Sequence, residues 1–149
     1  MQTILLVFTL AVFSGGDLED KTVKTQKAPE RLAGCPGRPN CVSSEARDAG
    51  HAVDPLLLNG DPAAAWEGIR DRVCRLPRIK VVRANDTYLH VTVKSRWFGF
   101  VDDLELLWES GTNRVAIRSA SRTGYSDLGV NRRRVEQLRS QLKQAACIQ

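Results

Sequence analysis

Between Arg118 and Arg134 the chain reads RSASRTGYSDLGVNRRR, the densest run of chemically capable side chains in its 149 residues. Arg118, Ser119, Ser121, Arg122, Tyr125, Ser126, Asp127 and Asn131 supply donors and acceptors, and Gly124 and Gly129 let the backbone turn sharply. The planar fork of an arginine suits two-point capture of a carboxylate or phosphate. A helix starting near Asn131, with Arg132 in its first turn, would add free backbone N–H groups that favour an anion. This pattern predicts a pocket for a small anionic or polar ligand. The competing reading pairs Arg118 and Arg122 with Asp102, Asp103 or Asp127, so that the charges pin a loop to a sheet.

Asp102-Asp103 interrupts an apolar stretch. Two carboxylates can work as acid and base or hold a metal, but neighbours on a strand face opposite sides. One of them would then reach the pocket while the other meets solvent. His90 shares a strand face with Tyr88 and is a candidate for proton transfer or for a structural hydrogen bond. An enzyme of hydrolase type, using Asp102 or Asp103 with His90, therefore stands beside the binding reading. The sequence has no Gly-rich phosphate loop, no HExxH, no nucleophile elbow and no dinucleotide fingerprint. No cofactor is implied. The cysteine spacing does not suggest zinc, since there is no CxxC and no paired His follows.

The elements that must hold these residues are readable in part. Asp61-Pro62 starts a helix, Trp66, Ile69, Val73 and Leu76 give it one apolar stripe, and Pro77 stops it. Strands follow at Ile79–Arg83, at Thr87–Lys94, over Trp97–Val101 with Leu104–Trp108, and at Arg114–Ser119. The third is expected to be one long strand bulged at the aspartates. Trp97, Phe98 and Phe100 are expected in the core, with the lining of an apolar cavity as the alternative. A second helix starts at Asn131 as its cap and runs to about Ala146, with Val135, Leu138, Leu142 and Ala145 as its stripe. The predicted fold is α+β: an antiparallel four-stranded meander flanked by an N-terminal and a C-terminal helix. Residues 35–60 are too rich in Pro and Gly for long elements, though Val42, Val53 and Leu56-Leu57-Leu58 must pack somewhere. Asn85-Asp86-Thr87 matches a glycosylation acceptor on a turn.

Residues 4–13, ILLVFTLAVF, are a ten-residue apolar run followed by Ser14-Gly15-Gly16. Ten residues are too few to span a bilayer, which takes about 20, but they fit a signal peptide over 1–16. The expected order is then a signal peptide at 1–16, a flexible linker at 17–34 and one domain at 35–147, in a periplasmic or secreted protein. Retention of the apolar run as a membrane anchor is the alternative. Four cysteines suit an oxidising compartment. Cys35 and Cys41, enclosing a turn-forming PGRPN, are the expected disulfide, while Cys74 and Cys147 are either free or paired with each other. The net charge of +5 lies wholly in the last quarter: residues 112–149 carry eight Arg or Lys against Asp127 and Glu136. Such asymmetry suits an anionic ligand or an anionic membrane surface, or a solvated helix face. A third reading is thus an envelope-associated interaction module with a basic C-terminal helix. Nucleic acid is not expected of an exported chain without an aromatic-basic platform.

CPGRPNCVSS at 35–44, FVDD at 100–103 and RSASRTGYSDLGVNRRRVEQLR at 118–139, taken together, resemble the bacterial and plastid family catalogued as domain of unknown function 1499. The resemblance covers about residues 34–142 and implies a small exported or membrane-associated protein with a site near the last block. It carries over Cys35, Pro36, Asn40, Cys41, Ser43, Ser44, Asp102, Asp103, Arg118, Ser119, Ser121, Arg122, Tyr125, Ser126, Asp127, Asn131 and Arg132, with no activity attached. Arg38 stands where the family pattern suggests a smaller residue.

Overall fold

The computed structural model describes residues 27–96 and 99–149. The chain runs β1 (Cys41–Ser43), β2 (Leu56–Leu57), α1 (Pro62–Cys74), β3 (Ile79–Ala84), β4 (Tyr88–Lys94), β5 (Val101–Trp108), β6 (Arg114–Ser121) and α2 (Val130–Gln144). All six strands form one antiparallel sheet in the order β1-β6-β5-β4-β3, and β2 also pairs with β6. The fold is α+β as expected, but the sheet has six strands rather than four. The first helix is not N-terminal to it, because two short strands precede that helix.

Those two short strands come from the Pro- and Gly-rich stretch where no long element was expected. Each is too short to show alternation, and each exists because β6 offers an open edge. β1 pairs with Arg118–Ala120 and β2 with Arg114 and Val115, so together they cover that edge. Val42, Leu56 and Leu58 thereby enter the core.

Alternation on the central strands sets the two faces of the sheet. Leu89, Val91, Leu104, Leu106, Val115 and Ile117 meet Trp66, Ile69 and Val73 of α1 and Val135, Leu138 and Leu142 of α2 in one buried cluster. Both helices therefore lie on this inner face. Among the described residues, no helix lies over the outer face. Part of it is covered by residues 27–34, where Ala28 and Leu32 pack on Tyr88, Leu107 and Ala116. The described end of the expected linker is thus seated on the sheet, while the expected signal peptide lies outside the described residues.

α1 begins as the sequence predicts: the Asp61 carboxylate accepts from Ala64 N–H at 2.8 Å, with Pro62 in the first turn. α2 does not. Its cap position is Gly129, at φ 77°, and Asn131 is already inside the helix and buried. The capping is done by Asp127, whose carboxylate accepts from the N–H of Gly129 at 2.8 Å and of Asn131 at 2.7 Å. The expected bulge at Asp102-Asp103 is also absent. β5 pairs with β4 and β6 without a register shift, and the irregularity falls in β3 between Val81 and Arg83. Trp97 and Phe98 lie outside the described residues, and Phe100 is exposed rather than core. No helix among the described residues is long and apolar enough to cross a membrane.

Candidate functional site

The predicted site residues do not converge on one pocket. The sheet divides them between its faces, beginning with the two adjacent aspartates.

Asp102 faces the helices. It pairs across the strands with Val93 and Ser121, is buried, and accepts from Arg134 Nη2 at 2.5 Å. Arg134 Nη1 also donates to Ser119 Oγ at 3.1 Å and to Asn131 Oδ1 at 2.7 Å. Ser119 Oγ donates to the same Asn131 oxygen at 2.6 Å. The Asn131 amide donates to Ser121 Oγ at 2.9 Å, Asp127 Oδ2 at 2.7 Å and the Asn40 carbonyl at 3.1 Å. Asn40, next to the disulfide, donates through Nδ2 to Gly124 O at 2.7 Å. These groups form a closed polar clasp at one end of the core, tying β5, β6, α2 and the 35–41 loop together. Its polar atoms largely satisfy one another, which makes it a structural network. Asp127 already occupies the helix N-terminus where an anion was expected.

Asp103 faces the other way. On the outer face it accepts from His90 Nε2 at 2.7 Å and, in a two-point contact, from Arg122 Nε at 3.0 Å and Nη2 at 2.9 Å. Burial alone would raise the Asp103 carboxyl, but the hydrogen bonds of Arg122 and His90 outweigh it and hold it below the usual carboxylate range. Arg122 is shifted up in return by the same contact. An ionised Asp103 can only accept, so Nε2 of His90 carries the hydrogen and a neutral ring keeps Nδ1 as an acceptor.

Beside this triplet runs a second one. Glu105 accepts from Tyr88 Oη at 2.6 Å and from Arg118 Nη1 at 2.8 Å. Burial pushes the Tyr88 hydroxyl far up, and its bond to Glu105 adds to this, so it stays a donor. Arg83 stacks over the Tyr88 ring with its guanidinium carbon 5.3 Å from the ring centre. The register explains the grouping: His90, Glu105 and Arg118 are directly opposite one another, and Asp103 lies one row away. The Arg118 side chain is 13% exposed, it donates one hydrogen bond, to Glu105, and its buried Nε–H has no protein partner among the described residues.

Other expected site residues stand elsewhere. Tyr125 is exposed on the loop after β6. Arg132 turns away and donates to the carbonyls of Ala52 at 2.8 Å and Gly50 at 3.0 Å. The Cys35–Cys41 disulfide is formed, and Cys74 and Cys147 are free. Beside the disulfide, His51 bridges the Arg38 carbonyl at 2.9 Å and the Asp48 carboxylate at 2.6 Å, and these two bonds raise its pKa.

Sequence reasoning missed Arg134, Glu105 and the role of Tyr88. For Arg134 a signal existed: residues 131, 134 and 138 continue the apolar stripe of α2 at helical spacing. Glu105 was hidden by its neighbours Leu104 and Leu106, although alternation places it with Asp103.

A family model described as a protein of unknown function (DUF1499) matches residues 31–142. The chain belongs to this family. No curated protein and no solved structure matches the chain. Membership supplies no reaction, so any reading of the DUF1499 site rests on the outer-face geometry.

Proposed function

We propose that this DUF1499 chain is an exported binding domain for a small anionic ligand, held on the outer face of the sheet by Arg118 and Arg122. The observation that carries this reading is the unspent donor capacity of Arg118. A guanidinium buried to this degree normally has its donors satisfied, yet among the described residues this one donates once and its buried Nε–H has no partner. Arg122 is half exposed on the same face, with Nε and Nη2 held by Asp103. Glu105 and Asp103 orient the two arginines. His90 and Tyr88 line the same face and contribute polar edges. Ser119, Ser121, Asn131 and Asp102 support the site from behind as the clasp, and do not touch the ligand. Export is supported by the apolar run at 4–13 and by the Cys35–Cys41 disulfide.

Calorimetric titration with inorganic phosphate, acetate and succinate tests the site. Binding should appear for at least one anion. It should weaken on the order of tenfold to a hundredfold in Arg118→Lys, which keeps the charge and loses the fork. Equal affinity in wild type and variant would refute the assignment.

The His90–Asp103 contact favours one further reading, a hydrolase in which Asp103 orients His90 and Nδ1 serves as base. Asp102 has no part in it, being on the opposite face. Ester hydrolysis lost in His90→Gln, with the fold intact, would support it. Hydrolysis that persists in the variant would remove it.

A further inference from the structure

The loops at one end of the sheet form a second surface, separate from the outer-face site. Strand register fixes which loops share that end. Lys94 pairs with Val101, Asp102 with Ser121, and Cys41 with Ala120, while Lys94 N–H donates to Arg78 O and Arg122 N–H to Val101 O. The turn before β3, Ser95 with Phe100, the 122–129 loop and the disulfide loop therefore lie together.

This end holds Phe100, Tyr125, Leu128 and Val130, four of the seven large apolar side chains that are exposed among the described residues. Leu128 is 84% exposed, Tyr125 70% and Phe100 54%. Phe100 precedes β5, while Tyr125 and Leu128 belong to the loop after β6. Leu128 is also held at φ 53°, a left-handed conformation costly for a branched apolar residue. The charge at this end is one-sided. Arg78, Lys94 and Arg133 are exposed here. The acids are engaged: Asp102 with Arg134, Asp103 with Arg122 and His90, and Asp127 with backbone N–H groups of α2. The arginines of α2 that sequence reasoning offered to a membrane are largely spent, with Arg132 and Arg139 donating to carbonyls at 50–55.

We propose that this end docks on an anionic lipid bilayer, with Leu128, Tyr125 and Phe100 entering the headgroup–acyl boundary and the surrounding Lys and Arg contacting the headgroups. A fluid interface accepts single protruding side chains without shape complementarity, and an amphipathic Tyr with flanking arginines suits its depth. A folded acidic partner would instead need a shape-complementary, closely packed contact.

The test is vesicle co-sedimentation of the full chain with pure phosphatidylcholine and with phosphatidylcholine containing about one-third phosphatidylglycerol, where each surface cation contributes roughly fivefold in affinity. The apolar run at 4–13 is common to all variants, so differences between variants report this surface. Anionic vesicles should bind more protein than neutral ones, less so as salt rises. Leu128→Gly should lower vesicle affinity on the order of tenfold. It also relieves the positive φ, so its melting temperature should hold or rise. Arg133→Glu should lower affinity for anionic vesicles alone. Unchanged vesicle binding in a folded Leu128→Gly/Tyr125→Ser variant would overturn the proposal. Loss in Arg133→Glu without loss in Leu128→Gly would overturn it too, in favour of a purely ionic partner.

Discussion

Replacing Asp102 by alanine strands the guanidinium of Arg134 inside the domain without its counter-charge. Asp102 is 4% exposed and the Arg134 side chain 14%, with their nearest atoms 2.5 Å apart. Removing one partner of a buried pair costs about 3–5 kcal/mol, much of it the penalty of the charge left behind. Arg134 would keep its bonds to Ser119 Oγ and Asn131 Oδ1, so the lower end, about 3 kcal/mol, is expected. At about 4 °C per kcal/mol for a domain of this size, the melting temperature should fall by roughly 12 °C. Circular-dichroism melts and urea unfolding measure this directly. The double variant Asp102→Leu/Arg134→Met removes both charges and should recover at least half of the loss, since apolar replacement of a whole buried pair is often neutral. A single-variant cost below about 1 kcal/mol, or a double variant no more stable than the single one, would refute the view of this clasp as a charge-dependent structural network.

Three further outcomes are expected. Arg122→Ala should remove anion binding while changing the melting temperature little, because Arg122 is half exposed and solvent-exposed ion pairs contribute little to stability; a large drop in stability with binding intact would make this arginine structural. Stability should also depend on His51: its pKa is raised in the folded chain, so the contribution is complete below about pH 6.5 and fades as pH rises through the folded value. Melts from pH 5.5 to 8.5 should therefore show a decline that His51→Gln lacks, and parallel curves would contradict it. Reducing the Cys35–Cys41 bridge should cost about 2–2.5 kcal/mol by loop-closure entropy and loosen Asn40, measurable as a lower denaturation midpoint under thiol.

Local signals carried the central elements. Asp61-Pro62 and the Trp66–Ile69–Val73 stripe placed α1, and alternation at Leu89, Val91 and Val93 placed the inner face of β4. What failed were features set by tertiary pairing. β1 and β2 have three and two residues, which is below any periodic signal, and they form because β6 has a free edge. Asn131 has the side chain of a cap but is worth more to the fold as the hub between Ser119, Ser121 and Asp127. The site showed the same limit. Composition located the polar block at 118–134, and the period of two already implied that Asp102 and Asp103 diverge. It did not show that Ser119 and Arg118, adjacent in sequence, would fall in the clasp and on the outer face respectively. Glu105 and Arg134, the partners that decide those roles, lie far from the block or inside a helix stripe.

The most direct test of the outer-face site is native against denaturing mass spectrometry on protein from an exporting host, run in parallel for wild type and Arg118→Lys. The proposed function predicts extra mass on the wild type under native conditions alone, matching a small anion, and its absence from a folded Arg118→Lys variant. Extra mass of equal abundance on both proteins would contradict it.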